Sequence, residues 1–66
     1  MKPYKVINLL TGKEYPVDAK GPRQALALCL PDSTLYDIQE TNRFLYAVNR
    51  QDDRDTYGVQ KDMPID

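Results

Sequence analysis

The sequence predicts a small α+β domain: an antiparallel sheet of four or five strands with one short helix packed on one face, in the order ββαββ. Three observations carry that prediction. Short runs rich in β-branched and aromatic residues recur along the chain and are separated by turn residues. A single alanine- and leucine-rich run is framed by Pro22 and Pro31. The chain has 66 residues, enough for one domain whose core is small, since a chain of this size buries only about 60% of its unfolded surface.

Residues 4–10, YKVINLL, read as the first strand. Thr11-Gly12 is a turn, and residues 13–19, KEYPVDA, complete a hairpin. Pro16 has no N–H for a ladder, which makes the second strand an edge or turns its Pro16 side outward. Pro22 suits the first turn of a helix, where a missing N–H is no loss. Good helix formers run from Arg23 to Leu30, and Pro31 disfavours helical geometry at the residue before it. The result is roughly two and a half turns. So short a helix is marginal in water, so it needs an apolar bed. Ala25, Leu28 and Cys29 are expected on its buried face, widened by Leu26 and Leu30.

Asp32-Ser33 is expected as a loop, followed by strands over residues 34–40 and 44–50 joined by Thr41-Asn42-Arg43. Asn42 suits that turn because asparagine tolerates positive φ. Residues 51–55 form a second turn and residues 56–60 a short last strand. The domain is thus expected over 1–60, with a flexible acidic tail over 61–66. Alternation puts Phe44, Tyr46 and Val48 on one face of their strand, and Leu45 and Ala47 on the other. Aromatic and β-branched cross-strand pairing predicts Tyr36 and Ile38 on the face of Phe44, Tyr46 and Val48. Both faces carry apolar groups, so the pattern leaves open which one meets the helix. Either the strands are covered on both sides, as in a dimer, or one side is a sticky surface.

Apolar residues at 41% and charged residues at 29% describe a globular chain rather than a disordered one. A net charge of −1 provides no strong field toward nucleic acid or membrane. The charge is unevenly spread, however: residues 1–24 carry a net +3 and residues 51–66 a net −3. The plain reading is two solvated faces; the sharper one is a basic patch for a partner.

Residue types for catalysis are sparse. The chain has no histidine, and Ser33 has no base in a motif around it. Cys29, the single cysteine, can form no internal disulfide and sits in an apolar helix, which reads as inert core. Asp52, Asp53 and Asp55 resemble half a calcium loop but lack its glycine and closing glutamate. The three glycines are isolated, so no phosphate cradle is present. The expectation is a non-enzyme with no catalytic residues, no metal and no cofactor. With no apolar N-terminal run, a cytoplasmic location and no membrane contact are expected.

Tyrosine is abundant: Tyr4, Tyr15, Tyr36, Tyr46 and Tyr57 place one in almost every predicted strand. Tyrosine is enriched at interfaces, and it is also simply a good strand residue. Arg43 and Arg50 bracket the aromatic strand. With the tyrosines they read as a protein-binding surface or, second, as a stacking platform for nucleic acid.

A strand ending Val17-Asp18-Ala19 leads through a turn to a short helix opening around Arg23-Gln24-Ala25. A hairpin of the form I-x-x-x-N-x-x-x-x-A follows over residues 38–47, then a polar acidic turn with a basic residue at 51–55. Over most of residues 4–57 this layout resembles the small phage-encoded anti-CRISPR proteins, in particular a ββαββ family that inhibits type I-F surveillance complexes. The resemblance implies a stoichiometric inhibitor that blocks a host defence complex by steric occlusion in the host cytoplasm. By motif position, the partner-binding residues are Lys20, Arg23 and Gln24 at the helix start, and Asn42, Arg43, Tyr46 and Arg50 in the second hairpin, together with Tyr36. The implied partner is a host protein or ribonucleoprotein complex, with nucleic acid secondary, and the chain is a monomer or weak homodimer. The acidic segment from Asp52 to Asp66 would either offer carboxylates in place of phosphates or serve only as solubilising charge. Two rival readings are a phage host-takeover or regulatory protein with another host target, and a non-specific nucleic-acid binder whose affinity falls steeply with salt.

Overall fold

A computed structural model describes residues 1–61 and shows the α+β domain. Its elements are β1 (Lys2–Asn8), β2 (Glu14–Ala19), α1 (Pro22–Cys29), a single 3-10 turn (Ser33–Leu35), β3 (Tyr36–Glu40), β4 (Phe44–Asn49) and β5 (Thr56–Gln60). The strands form one sheet in the order β2-β1-β5-β4-β3, antiparallel throughout. β2, which carries Pro16, is an edge, where the missing N–H is tolerated. The tail over residues 62–66 lies outside the described residues. Lys61 itself is tied down, its backbone N–H donating to the Arg43 carbonyl at 2.7 Å.

β1 stops earlier than its apolar run because Asn8 turns the chain. Its Oδ1 accepts from the backbone N–H of Leu10 at 2.9 Å and of Thr11 at 3.2 Å, and its carbonyl accepts from Gly12 at 2.7 Å. Gly12 closes the turn at φ 79, a region open to glycine at no steric penalty. Leu9 and Leu10 are left 54% exposed. Asp32 similarly shortens β3: its Oδ1 accepts from the Thr34 N–H and hydroxyl, at 3.1 and 2.6 Å. Residues 34 and 35, expected in the strand, are therefore drawn into the 3-10 turn.

Gly21, extended at φ −162, offers α1 no side-chain cap. Gln24 compensates by accepting from the Lys20 N–H at 2.7 Å. Ala25 and Leu26 are fully buried, with Cys29 and Leu30 half-buried, but Leu28 is 58% exposed. The expected face is thus corrected. At about 100° per residue, a stripe centred among Ala25, Leu26, Cys29 and Leu30 leaves Leu28 about 130° round the helix. α1 connects the two edge strands and lies across β2, β1, β5 and β4. Ala19, Ala25 and Ala47 at the contact, all at 0% exposure, allow it to sit close to the sheet.

The β3–β4 register corrects the expected pairing of faces. Thr41 N–H donates to the Phe44 carbonyl at 2.9 Å, and Phe44 N–H donates to Thr41 Oγ1 at 3.0 Å. The loop is therefore Asn42-Arg43, two residues rather than three. Ile38 consequently stands opposite Ala47, and Tyr36 opposite Asn49. Tyr36 and Ile38 share the helix face with Leu45 and Ala47, because a one-residue change of register moves every side chain to the other face. Asn42 does not use positive φ, which among the described residues only Gly12 adopts.

Most of the tyrosines are core. Tyr4, Tyr36 and Tyr57 are 3%, 6% and 8% exposed, and half-buried Tyr15 joins them on the helix face. Tyr36 and Tyr57 meet edge to face at 5.8 Å. The Tyr36 hydroxyl donates to Asp55 Oδ2 at 2.5 Å, and Asn49 Nδ2 donates to the same oxygen at 3.1 Å. Burial, and then the Asp55 carboxylate, push the Tyr36 phenol up to about 12. The neutral form is favoured by folding, so its contribution is complete below pH about 10, the ordinary phenol value, and fades as pH rises to about 12. Tyr36→Phe is expected to lower stability by about 1–2 kcal/mol at neutral pH. Urea midpoints measured against pH should show the gap between the two proteins narrowing only above about pH 10.

Candidate functional site

An antiparallel sheet in this order gathers at one end the start of β1, the end of β2, the end of β3, the start of β4 and the end of β5. Lys2 lies opposite Ala19, Glu40 opposite Leu45 and Phe44 opposite Gln60. The start of α1 follows β2 at that same end. The topology therefore brings together Lys20, Arg23 and Gln24 with Asn42 and Arg43 of the β3–β4 turn, five of the eight residues singled out from sequence. All five are exposed. Gln24 also has a structural task, since its carbonyl oxygen holds the Lys20 N–H.

Two further cations join this end, Lys2 and Lys61. The Lys61 ammonium ion-pairs with Glu40 and donates to the Thr41 carbonyl at 3.1 Å. Lys61 holds the Glu40 carboxyl below the usual carboxylate range, and the Arg23 guanidinium adds to the effect, which places Arg23 within the field of this pair. Among the described residues, Lys2, Lys20, Arg23 and Arg43 have no ion-pair partner. The end is a cationic rim that also holds two carboxylates, Glu40, paired with Lys61, and exposed Asp18 opposite Pro3.

Tyr46 lies elsewhere, on the sheet face that α1 leaves open. Its ring lies over Gly58, where an added Cβ would stand 3.1 Å from Tyr46 Cε1. Phe44 stacks on Tyr46 at 5.9 Å. Because Gly58 has no side chain, a shallow apolar groove of about 200 Å³ opens beside it, lined by Ile7, Leu9, Phe44 and Tyr46 with Lys5 and Gln60 at its margin. Arg50 sits at the far end of β4, 3.6 Å from Asp37, away from the basic rim. Tyr36 is removed from the surface altogether: a strand tyrosine whose hydroxyl has found Asp55 is core, not contact. Lys2, Lys61, Ile7, Leu9 and Gly58 were not singled out from sequence. Strand alternation over residues 4–10 was a signal that could have found Ile7, while the others depend on how the strands are ordered.

Among the described residues no three His, Cys, Asp or Glu side chains are grouped to hold a metal ion. Burial pushes the Cys29 thiol up, away from its reactive thiolate form. No described helix is long and apolar enough to cross a membrane. Neither a scan of protein-family models nor searches of curated proteins and of solved structures find a match to this chain.

Proposed function

We propose that the chain is a non-enzymatic, anti-CRISPR-type inhibitor that docks its basic end on a host defence complex and blocks nucleic-acid binding or action by steric occlusion. The observation that carries this reading is the gathering of Lys20, Arg23, Asn42 and Arg43 at one end of the sheet, where the three cations have no ion-pair partner among the described residues. Arginine in a preset position recognises carboxylate or phosphate through two parallel hydrogen bonds. The layout likeness to the type I-F inhibitors supplies the kind of partner.

The test is a phage challenge. Expressed in a bacterium whose type I-F system targets an infecting phage, the chain is expected to restore plaque formation. Purified surveillance complex should bind it stoichiometrically after nuclease treatment. Plating that stays suppressed, with no binding to the purified complex, would reject the reading.

The unpaired cations also favour a second reading, direct binding to nucleic acid. That mode has a distinct signature, since each phosphate neutralised contributes a slope of about −0.9 to the dependence of log affinity on log salt. Four cations would give a slope of roughly −3 to −4 on duplex DNA of any sequence.

A further inference from the structure

The open face of the sheet plays no part in the basic end, yet it has the anatomy of an interface, an apolar centre inside a polar rim. The pairing registers define three rows that cross β5 on this face, with Pro3 and Asp18 beyond them toward the basic end. Glu14, Ile7, Gly58, Tyr46 and Gln39 form the middle row. Pro16, Lys5, Gln60 and Phe44 form the row toward the basic end, and Leu9, whose N–H donates to the Thr56 carbonyl, Thr56, Val48 and Asp37 the row on the other side. Leu9 and Phe44 are 54% and 37% exposed. The rims hold ion pairs already formed, Lys5–Glu14 at 3.3 Å and Arg50–Asp37 at 3.6 Å.

β5 is the middle strand, and its residues on this face, Thr56, Gly58 and Gln60, are uncharged. It can therefore lie against its own copy with no like charges meeting. A two-fold rotation about an axis parallel to β5 lays β1 over the second copy's β4, and β2 over its β3. Ile7 then faces Tyr46 of the second copy, Leu9 faces Val48, Lys5 faces Phe44 and Glu14 faces Gln39. Apolar groups meet apolar groups, and a lysine meets an aromatic ring, a favourable contact. An axis running across the strands would instead set Glu14 against its own copy.

We propose that the open face binds a second copy of this chain, face to face, about a two-fold axis parallel to β5. The interface is isologous, each patch meeting itself reversed. Five strands about 4.8 Å apart and about six residues long cover roughly 400–500 Å². That is below the roughly 800 Å² per partner of stable complexes, so the dimer forms at high concentration. Because the axis runs along the strands, both basic ends point the same way. The proposal stands whatever those ends bind.

Sedimentation equilibrium tests it. The mass is expected to rise from 7.6 kDa toward twice that value as concentration rises from ~1 µM to ~1 mM. Leu9→Lys should shift assembly at least ~10-fold to higher concentration, and Leu9→Lys with Val48→Glu should recover it, because lysine and glutamate then face each other across the axis. Should Leu9→Lys lose its circular-dichroism signal, Gln60→Lys, which brings two lysines together near the axis, serves in its place. Monomer mass over the whole range overturns the proposal, whether or not a host complex afterwards shields this face from hydrogen exchange. A dimer indifferent to both lysine variants overturns it as well, and failure of the paired variant to recover assembly overturns the axis.

Discussion

Truncation of Leu26 to alanine is expected to leave the chain largely unfolded at 37 °C. Leu26 is fully buried and among the largest side chains that are. Removing a buried leucine to alanine costs about 2–5 kcal/mol, the spread reflecting how far the cavity collapses. At roughly 0.05–0.15 kcal/mol per residue, a domain of this length has about 3–10 kcal/mol in total. The helix has no separate reserve, since eight residues do not hold a helix in water. Leu28, one turn face away and 58% exposed, is the control: Leu28→Ala is expected to change stability by no more than about 0.5 kcal/mol. Urea unfolding followed by circular dichroism measures both, and equal losses would show that the buried helix face has been misassigned.

Reversing two charges at the basic end is expected to abolish partner binding while leaving the fold intact. Arg23→Glu with Arg43→Glu alters only exposed side chains, and exposed substitutions usually stay within about 0.5 kcal/mol in stability. At an interface, the same change sets carboxylates against the partner's anionic groups, and such juxtaposition costs several kcal/mol. A loss of at least ~100-fold in affinity follows, since 1.4 kcal/mol is tenfold. Arg50→Glu makes the matching control at the opposite end. It breaks only the exposed pair with Asp37, worth about 0.2–1 kcal/mol, and should leave binding within ~3-fold. Calorimetric titration of the purified surveillance complex gives both values. An Arg50 variant as damaging as the double variant would mean that binding follows overall charge rather than this end.

Much of the architecture was legible because proline and glycine punctuate it. Pro16 marked an edge, Pro22 a helix start and Gly12 a turn. The facing of the strands was not legible, for a local reason: Thr41-Asn42-Arg43 permits a loop of two or three residues, and parity depends on whether Thr41 bonds back to Phe44. Tyr36 was misplaced for a non-local one. Whether a strand tyrosine serves core or surface depends on its hydroxyl's partner, and Asp55 lies 19 residues further along the chain. The helix start and the second turn were each visible as basic segments, but their meeting at one end follows from strand order. The groove was hidden for the same reason, since Ile7 and Gly58 become neighbours only when β1 pairs with β5.

That last pairing also governs how the chain can be made. The middle strand of the sheet is the last to be synthesised. Until β5 is available, the hairpins β1–β2 and β3–β4 share no strand, and α1 lies over a sheet with a gap where Tyr57 and Val59 belong. Isolated hairpins are marginal in water, so the growing chain cannot bank structure from its N-terminus onward. Folding is expected to wait until Gln60 has emerged and to run at the slower pace set by distant contacts. A chain stopped short of Thr56 would retain most of its residues and none of its fold.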